Sequence, residues 1–467
     1  MDQFPFLTLT QLITALKNGD ITPRELTHRY LSHIERFNER LKAFLRITNE
    51  RAQKEADGVS KGGESSSLLG GIPYAVKDLF DVEGVPTTAG CRLLSNNIAL
   101  KDSTAVGRLS QTGMVLLGKT HTVQFAFSGV GINHDQGTPV NPWMSTPYVP
   151  GGSSSGSAVA VASGMVPLAL GTDTGGSVRI PAALCGIVGL KTTVGRISRS
   201  GVYPLSWTLD SVGVLTRTVE DAALAYPLLQ GPDPEDPLTL TVPPPDGRHR
   251  LKAGLKGLRL AFGETVFFDD VDPEVAQAVR DTAPSFQSLG ARVSRLELPE
   301  VAEALASNKR ALMIAAEACV INERLLNKHY QDLDPVVAER MIAGRTLSAP
   351  DYFAELRRWE DLRKRILYSL KEIDALLVPT TMIPAKPLSE VEASAEAYRR
   401  FNAQYLRNTS LGNILNLCAV SVPCGYTREG LPIGLMIYAK PFQEELALQV
   451  AYAYEQATPW HTYHPPL

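Results

Sequence analysis

Residues 150–186 read PGGSSSGSAVAVASGMVPLALGTDTGGSVRIPAALCG, and this stretch is the most informative part of the sequence. Between Gly151 and Ser200, ten of fifty residues are glycine and eight are serine, but only five are charged. A chain that is 20% charged would place ten charged residues in such a window. Glycines give the backbone freedom, serines bring hydroxyl groups, and the shortage of charge indicates a buried loop rather than a surface linker.

The composition of the whole chain limits what it can be. It has 467 residues, a net charge of −3, 44% apolar residues and 20% charged residues. These values are near the averages for globular proteins and exclude a disordered chain or a coiled coil. The near-neutral balance argues against nucleic acid as a partner, since a dedicated binder carries a basic excess. The most basic stretch, RRWEDLRKR at 357–365, has interleaved acids that indicate a solvated helix face.

The cysteines and the N-terminus indicate a cytoplasmic protein. Five widely spaced cysteines without a C-x-x-C pair favour free, buried thiols in a reducing compartment; they are Cys91, Cys185, Cys319, Cys418 and Cys424. The N-terminus MDQFPFLTLTQLITALKNG lacks a basic segment followed by an apolar run, so we expect no secretory signal. The small-residue stretch 157–171 is too short and too interrupted to span a bilayer, so we also expect no membrane partner.

Strand and helix patterns alternate along the chain. They predict the α/β class, with a large, twisted, mixed but mostly parallel sheet that helices cover on both faces. Strands are predicted at 72–76, 114–117, 166–170, 258–262, 292–296, 374–378, 419–422 and 433–438. Helices are predicted at 7–18, 23–38, 41–57, 157–164, 273–289, 443–457 and, with an interruption near 348–350, over 300–371.

The segmentation of the chain follows from its loops. Residues 58–71 are predicted to be a flexible loop, and residues 231–246, which hold six prolines, a surface connection. We expect one domain over 1–467. It would consist of a helical part (1–60), a core (61–230), the proline-rich connection (231–246) and a C-terminal α/β part (247–467) that completes the sheet.

Two familiar kinds of site fit the glycine-rich window poorly. GGSSSGS lacks the G-x-x-x-x-G-K-[ST] pattern of a phosphate-binding loop, and no lysine or arginine lies between 151 and 178. GSSSG at 152–156 matches the G-x-S-x-G of a Ser-His-Asp hydrolase. However, the polar, proline-rich NPWMSTPYVP precedes it where an apolar strand is required, and the eight histidines offer no obvious partner.

A third kind of site combines serine with lysine. A serine needs a base to become a nucleophile, and lysine is a base only when it is neutral. Moving the pKa of a lysine from about 10.4 to about 7 takes roughly 4.6 kcal/mol, which burial among apolar and hydroxyl groups can supply. Lys77 fits this requirement because it ends the apolar strand IPYAV.

Together, GIPYAVKD at 71–78 and the stretch at 150–186 closely resemble the amidase signature family. The resemblance runs over most of the chain. It includes GLKTTVGRISRSGVYP (189–204), LTRTVEDAALA (215–225), DALLVPTT (374–381) and VSVPCGYTREGLPIGLMI (420–437). It implies the amidase signature fold and hydrolysis of a carboxylic amide through an acyl-enzyme. The implied reaction requires no metal and no cofactor, and the sequence contains no H-E-x-x-H motif or Cys/His cluster.

The resemblance also implies roles for individual residues. Lys77 would be the base, Ser153 would follow a cis peptide bond and bridge the base to the nucleophile, and Ser177 would be the nucleophile. Gly152 lessens the steric conflict at the cis bond. Ser154 and Ser155 are rivals of Ser153. The amides of Thr174, Gly175, Gly176 and Ser177 would form the oxyanion hole, and Asp173 would hold their loop with Arg179 as its partner.

The identity of the substrate is less well determined by the sequence. Candidate binding residues are Phe127, Ser128, Gly129, Ile180 and Trp207. Ile180 is apolar where the tRNA-dependent amidotransferase subunits of this family usually carry glutamine. We therefore expect a stand-alone amidase for a small, neutral, rather apolar amide, ester or carbamate, with water as the second reactant. The alternatives are a glutamine-hydrolysing subunit of a tRNA-dependent amidotransferase and an inactive binding protein. A homodimer is our working hypothesis for the assembly.

Overall fold

The strands of this protein form a single sheet. The computed structural model describes residues 4–60, 68–243, 250–308 and 311–467. The strands are β1 (Phe44–Ile47), β2 (Pro73–Lys77), β3 (Val115–Thr120), β4 (Leu168–Asp173), β5 (Val188–Lys191), β6 (Ser211–Thr216), β7 (Arg259–Gly263), β8 (Arg292–Leu296), β9 (Ala375–Pro379), β10 (Cys418–Tyr426) and β11 (Pro432–Ala439). Their order across the sheet is β1-β3-β2-β4-β6-β5-β10-β11-β9-β7-β8.

The sheet is mixed, as expected, but it is not mostly parallel. Within the described ranges, β2 pairs in parallel with β3 and β4, and β7 with β8 and β9. The other six pairings are antiparallel. The β10–β11 pair is a hairpin, and β4, β5 and β6 run antiparallel through the middle. Antiparallel neighbours need no crossover helix, so the alternation of strand and helix in the sequence overstated the parallel share.

Helices follow or precede most strands. They are α1 (Leu9–Asn18), α2 (Pro23–Leu41), α3 (Asn49–Ser60), α4 (Thr104–Gln111), α5 (Ser155–Ala162), α6 (Arg179–Cys185), α7 (Val219–Leu229), α8 (Pro273–Arg280), α9 (Ala283–Ser288), α10 (Pro299–Ser307), α11 (Leu312–Ile321), α12 (Glu323–Lys328), α13 (Pro335–Ala343), α14 (Ala349–Ser369), α15 (Leu388–Val391), α16 (Ala395–Ile414) and α17 (Glu444–Gln456). None of the described helices combines the length and the apolar character that crossing a membrane demands.

Both faces of the sheet are buried. Side chains alternate along β9 and β11, so that Leu377 and Ile437 enter one hydrophobic core while Leu376 and Met436 enter the other. Helices α1, α2, α5, α7 and α17 contribute to the first core. Helices α10, α11, α13 and α14 contribute to the second. The predicted α/β class, with helices on both faces, is therefore confirmed.

The structure corrects the predicted helix at 41–57. Helix α2 begins at a capping box formed by Thr22 and Glu25 and ends before Lys42, which has a left-handed φ of 50°. The Asn38 side chain then accepts a hydrogen bond from the Phe44 amide at 2.7 Å, and the chain continues as the edge strand β1. Residues 44–47 read FLRI. The predicted helix included this short apolar run because it also fits the helical spacing.

Other predicted boundaries also shift. The helix predicted at 273–289 is two helices, α8 and α9, with a break at 281–282 ahead of Pro284. The stretch 300–371 is divided into α10 to α14. Within the predicted loops, residues 61–67 and 244–249 lie outside the described residues. The five cysteines are buried and free, as predicted.

Candidate active site

Lys77 is placed at the end of β2, where the strand leaves the core. Its side chain is fully buried. Its Nζ donates hydrogen bonds to Ser153 Oγ at 2.7 Å and to Thr172 Oγ1 at 2.8 Å. Burial lowers the pKa of Lys77 to about 7, against the opposing attraction of the Asp210 and Asp173 carboxylates. A sizeable fraction of Lys77 is therefore neutral near neutral pH.

Ser153 is the serine that contacts the lysine. The peptide bond between Gly152 and Ser153 is cis. A Cβ at Gly152 would lie 2.8 Å from the backbone of Gly131, so only glycine fits there. Ser154, one of the two rivals, instead accepts a 3.3 Å hydrogen bond from the Thr172 amide. Ser155, the other rival, begins α5, and its buried hydroxyl has no partner among the described residues.

Ser177 lies in the turn between β4 and α6. Its carbonyl oxygen accepts a hydrogen bond from the Ser154 amide at 3.2 Å, which ties the two catalytic loops together. In the described part of the chain, the hydroxyls of Ser153 and Ser177 are not hydrogen bonded to each other. Such catalytic hydrogen bonds often tighten only when substrate is bound. The structure thus brings Lys77 and Ser153 into contact, and the backbone of Ser177 contacts Ser154, the residue after Ser153.

The backbone amides around Ser177 differ in whether they already have a hydrogen-bond acceptor. Gly176 donates its N–H to Asp173 Oδ1 at 2.9 Å, so this predicted oxyanion donor is already occupied. The amides of Gly175 and Ser177 have no acceptor among the described residues. Gly176 has a φ of 133°, and a Cβ there would lie 2.1 Å from Thr409 Oγ1. Glycine at this position therefore shapes the loop rather than supplying a donor.

A buried ion pair supports this loop. Asp173 and Arg179 are both fully buried and lie 2.9 Å apart. Arg179 also donates to Asn413 Oδ1 at 2.6 Å and to the Tyr438 hydroxyl at 2.9 Å. The nearby Arg179 guanidinium holds the pKa of Asp173 well below its usual range, although burial opposes this. Arg179 therefore fixes the loop and is not available to a substrate.

A cavity of about 50 Å³ opens at Ser177. We call it the Ser177 cavity. Its walls are mostly apolar, and they include Ala126, Phe127, Leu205, Ile314 and Leu406. Arg340 is the one charged side chain among its described lining residues. The guanidinium of Arg340 lies 4.0 Å from the centre of the Phe127 ring and donates to the Phe127 carbonyl oxygen. Burial lowers the pKa of Arg340 to about 10.

The structure places only some of the predicted substrate-binding residues at the Ser177 cavity. Phe127 and Ser128 line the Ser177 cavity. Gly129 lies behind the wall, where its amide donates to Asn402 Oδ1 at 2.8 Å. Ile180 is fully buried, and its Cδ1 lies 3.3 Å from the position that a Cβ on Gly129 would take. Gly129 and Ile180 are therefore not among the described residues that line the Ser177 cavity, and they pack behind it.

Trp207 is not among the described residues that line the Ser177 cavity. Its side chain is 52% exposed and lines a different cavity of about 210 Å³, beside Thr172 and Asp210. Arg199 donates to the Trp207 carbonyl oxygen at 2.8 Å and also pairs with Asp236, which fixes the Trp207 loop outside the Ser177 cavity.

Several residues of the site were missed. Thr172 lies in the glycine-rich motif, and its position in GTDTGGS, five residues before Ser177, could have drawn attention. Asp210 accepts a hydrogen bond from Thr174 Oγ1 at 2.5 Å. The one sequence feature that could have indicated Asp210 is the segment SWTLD at 206–210, which it ends. Arg340 and Leu406 come from α13 and α16, which carry no motif, so only the tertiary fold reveals them. Among the described residues, no group of three or more His, Cys, Asp and Glu could hold a metal ion.

Comparisons with known proteins identify the family of this chain. A family model described as amidase matches residues 25–448. An amidase of Pseudomonas putida is 37% identical over 479 residues, which cover 100% of this chain and 99% of the relative. One of the subunits of the glutamyl-tRNA(Gln) amidotransferase of Chloroflexus aggregans is 36% identical over 496 residues, which cover 100% of this chain and 99% of that relative.

A solved structure gives the same result. The crystal structure of a peptide amidase in complex with the competitive inhibitor chymostatin has a TM-score of 0.86 and is 29% identical. The match covers 99% of this chain and 100% of the peptide amidase. With the family model matching most of the chain, these similarities show that the protein belongs to the amidase family and is a hydrolase of amide C–N bonds.

Proposed function

We propose that Ser177 is the nucleophile of an acyl-enzyme mechanism in which Ser153 and Lys77 move the proton. The observation that carries this proposal is the 2.7 Å contact between Lys77 Nζ and Ser153 Oγ, made by a lysine whose pKa burial lowers to about 7. A neutral amine there can accept a proton from Ser153. Ser153 can in turn accept the proton of Ser177 once substrate draws the two hydroxyls together.

Acylation follows from these contacts. The Ser177 Oγ attacks the amide carbonyl carbon as its proton passes to Ser153 and the Ser153 proton passes to Lys77. The amides of Gly175 and Ser177 donate to the oxyanion, and preorganised donors of this kind are usually the largest catalytic contribution. The relay then returns a proton to the leaving nitrogen, the C–N bond breaks and an ester remains on Ser177. Water hydrolyses this ester by the same relay and releases the carboxylic acid.

We propose that the enzyme acts alone on a neutral, rather apolar amide. The predominantly apolar walls of the Ser177 cavity support this choice. No aspartate or glutamate is among the described residues that line it. Free glutamine carries an α-ammonium group that would need such a partner when desolvated. The 37% identity to the Pseudomonas putida amidase agrees with this proposal.

The alternative function is glutamine hydrolysis within a tRNA-dependent amidotransferase. The similarity to the Chloroflexus aggregans relative over the full length of this chain favours it. Arg340 at the Ser177 cavity could also attract the carboxylate of glutamine. Such an enzyme would need partner subunits to use the ammonia that it releases.

A substrate panel on the purified chain distinguishes the two functions. It contains glutamine, asparagine, aliphatic primary amides and anilides, with ammonia or aniline release as the readout. We expect turnover of the apolar amides without any partner and little turnover of glutamine. Turnover of glutamine alone would instead establish the alternative. The Ser177→Ala variant serves as the control for contaminating activity, and it should be inactive on every compound.

A further inference from the structure

A second and much larger cavity adjoins the Ser177 cavity. Its volume is about 860 Å³, against about 50 Å³ for the Ser177 cavity. We call it the side chamber. Five residues line both cavities, and these are Asn308, Ala311, Arg340, Leu406 and Ser410. A group too large for the Ser177 cavity can therefore continue past these shared residues into the side chamber.

The position of the relay decides which part of a substrate would enter the side chamber. Lys77 and Ser153 have no solvent exposure, and neither is among the residues that line the two cavities. The leaving nitrogen must face Ser153 to receive its proton. The acyl group lies on the other side of the carbonyl carbon, so we expect it to continue into the side chamber. A separate cavity of about 210 Å³ lies beside Thr172, which accepts a hydrogen bond from Lys77, so the relay side is not limited to a small leaving group.

The lining of the side chamber selects among acyl groups. Much of its wall is apolar and includes Leu305, Val336, Met382 and Leu406. Its described charged residues are one acid, Glu339, and three arginines, at 340, 399 and 407. Glu339 lies 2.7 Å from Arg399 and is therefore already paired. This balance disfavours a cationic acyl group and tolerates a neutral or anionic one.

Asn402 adds a hydrogen-bond donor to this chamber. Its Oδ1 accepts hydrogen bonds from the Gly129 amide at 2.8 Å and from Ser128 Oγ at 3.0 Å. Asn402 also lines the side chamber, and its amide nitrogen donates to none of the described residues. This nitrogen is thus available to a carbonyl or other acceptor on an extended acyl group.

From these observations we infer that the enzyme prefers amides of extended carboxylic acids. The acyl chain, apolar and neutral or anionic, occupies the side chamber, and the amine or ammonia leaves on the relay side. The overall reaction converts the amide and one water into the carboxylic acid and one amine or ammonia. This inference rests on the proposed Ser177 chemistry and extends the predicted small substrate to one with a long acyl part.

A chain-length series tests the inference with the wild-type enzyme. We expect kcat/KM for ammonia release to rise from acetamide through butyramide and hexanamide to octanamide. Each methylene buried in the chamber can add up to about fourfold. An octanamide with a terminal ammonium group should be a poorer substrate than octanamide. A flat series or equal use of the ammonium analogue would overturn the inference.

A pair of variants tests the place of the acyl chain. Ala403 is an exposed residue of α16 that lines the side chamber but not the Ser177 cavity. Ala403→Trp should lower kcat/KM for octanamide at least about tenfold, the contribution of two buried methylenes, and leave acetamide turnover unchanged. Ala302→Trp is the matched control, because Ala302 is also an exposed helical alanine and lines neither cavity. It should change neither rate.

The outcomes separate the inference from the proposed function. If Ala403→Trp lowers both rates equally or neither, the side chamber does not hold the acyl chain, whatever the nucleophile is. If Ser177→Ala retains full turnover of acetamide and octanamide, the proposed acyl-enzyme mechanism fails. Loss of all turnover in Ser177→Ala, with a selective loss of octanamide turnover in Ala403→Trp, supports both.

Discussion

The Nζ of Lys77 lies 2.7 Å from the Oγ of Ser153, and both side chains are completely buried. A charged lysine in such a position would be costly, and burial lowers its pKa to about 7. Because the proposed base is the neutral amine, we expect kcat/KM to rise with pH through about 7 and to fall about tenfold per pH unit below it. A pH profile measured with a neutral amide, whose own charge does not change, checks this. A flat profile between pH 5 and 8 would contradict the role of Lys77.

Replacing Thr172 should move this profile. Thr172 Oγ1 accepts the second hydrogen bond of Lys77, at 2.8 Å, and an acceptor stabilises the charged form of an amine. Thr172→Val should therefore lower the pKa of Lys77, shift the acid limb of kcat/KM to lower pH and reduce kcat because the amine is less well oriented. Thr172→Ser, which keeps the hydroxyl, should retain the wild-type limb. An unchanged limb in Thr172→Val would show that this contact does not influence the base.

Loss of the nucleophile should be far more severe than loss of a wall residue. We expect Ser177→Ala to reduce kcat by at least about a thousandfold, because catalysis by the remaining donors and by binding alone is small. Phe127→Leu changes only the wall of the Ser177 cavity and should mainly alter KM. Steady-state kinetics on one aliphatic amide measures both variants. Comparable kcat values for Ser177→Ala and the wild type would exclude Ser177 as the nucleophile.

The loop that carries Ser177 depends on the buried pair of Asp173 and Arg179. Arg179→Met would leave the Asp173 carboxylate buried without its cation, and breaking such a pair typically costs about 3–5 kcal/mol. Urea unfolding monitored by circular dichroism should show this loss. Arg365→Met is a suitable control, since Arg365 pairs with Glu303 at the surface and such pairs contribute about 0–1 kcal/mol. Equal stability of the two variants would contradict the supporting role of the buried pair.

Glycine is required at 176 for steric reasons. Gly176→Ala would place a methyl group 2.1 Å from Thr409 Oγ1 at a φ of 133°. We expect a loss of activity together with a lower melting temperature, because the loop must shift to admit the methyl group. Gly58→Ala is the matched control, since Gly58 lies in helix α3 with nothing within 4 Å of the added carbon. It should stabilise the helix by about 0.5–1 kcal/mol and leave activity unchanged.

The contact between Lys77 and Ser153 could be predicted from the sequence, because the residues of the proposed reactive centre lie in two continuous motifs. Lys77 ends an apolar strand, and Ser153 and Ser177 lie in one glycine-rich segment. The walls could be predicted only in part, since Phe127 and Ser128 were expected there and do line the Ser177 cavity. Arg340 and Leu406 reach the Ser177 cavity from two separate helices whose sequences carry only the helical periodicity. Trp207 lines the separate cavity beside Thr172, a placement that its position in the sequence does not indicate.

Some features of the fold follow from the local sequence, and others depend on contacts between distant segments. Strands such as β2 and β9 are continuous apolar runs that bury both faces, so composition alone identifies them. The direction in which neighbours pair depends on which strands meet, and the antiparallel pairing of β4 with β6 has no local signal. The edge strand β1 was missed because its four residues also fit a helical pattern.

The order of strands has a consequence for how substrate preference can change. Strands β1 to β6 occupy one half of the sheet and β7 to β11 the other, and the halves meet where β5 pairs with β10. Lys77, Ser153 and Ser177 belong to the first half of the chain, whereas every described lining residue of the side chamber comes from 305–410. Exchanging residues 250–467 with those of a homologue should therefore transfer the choice of acyl group while the reaction chemistry stays with the recipient.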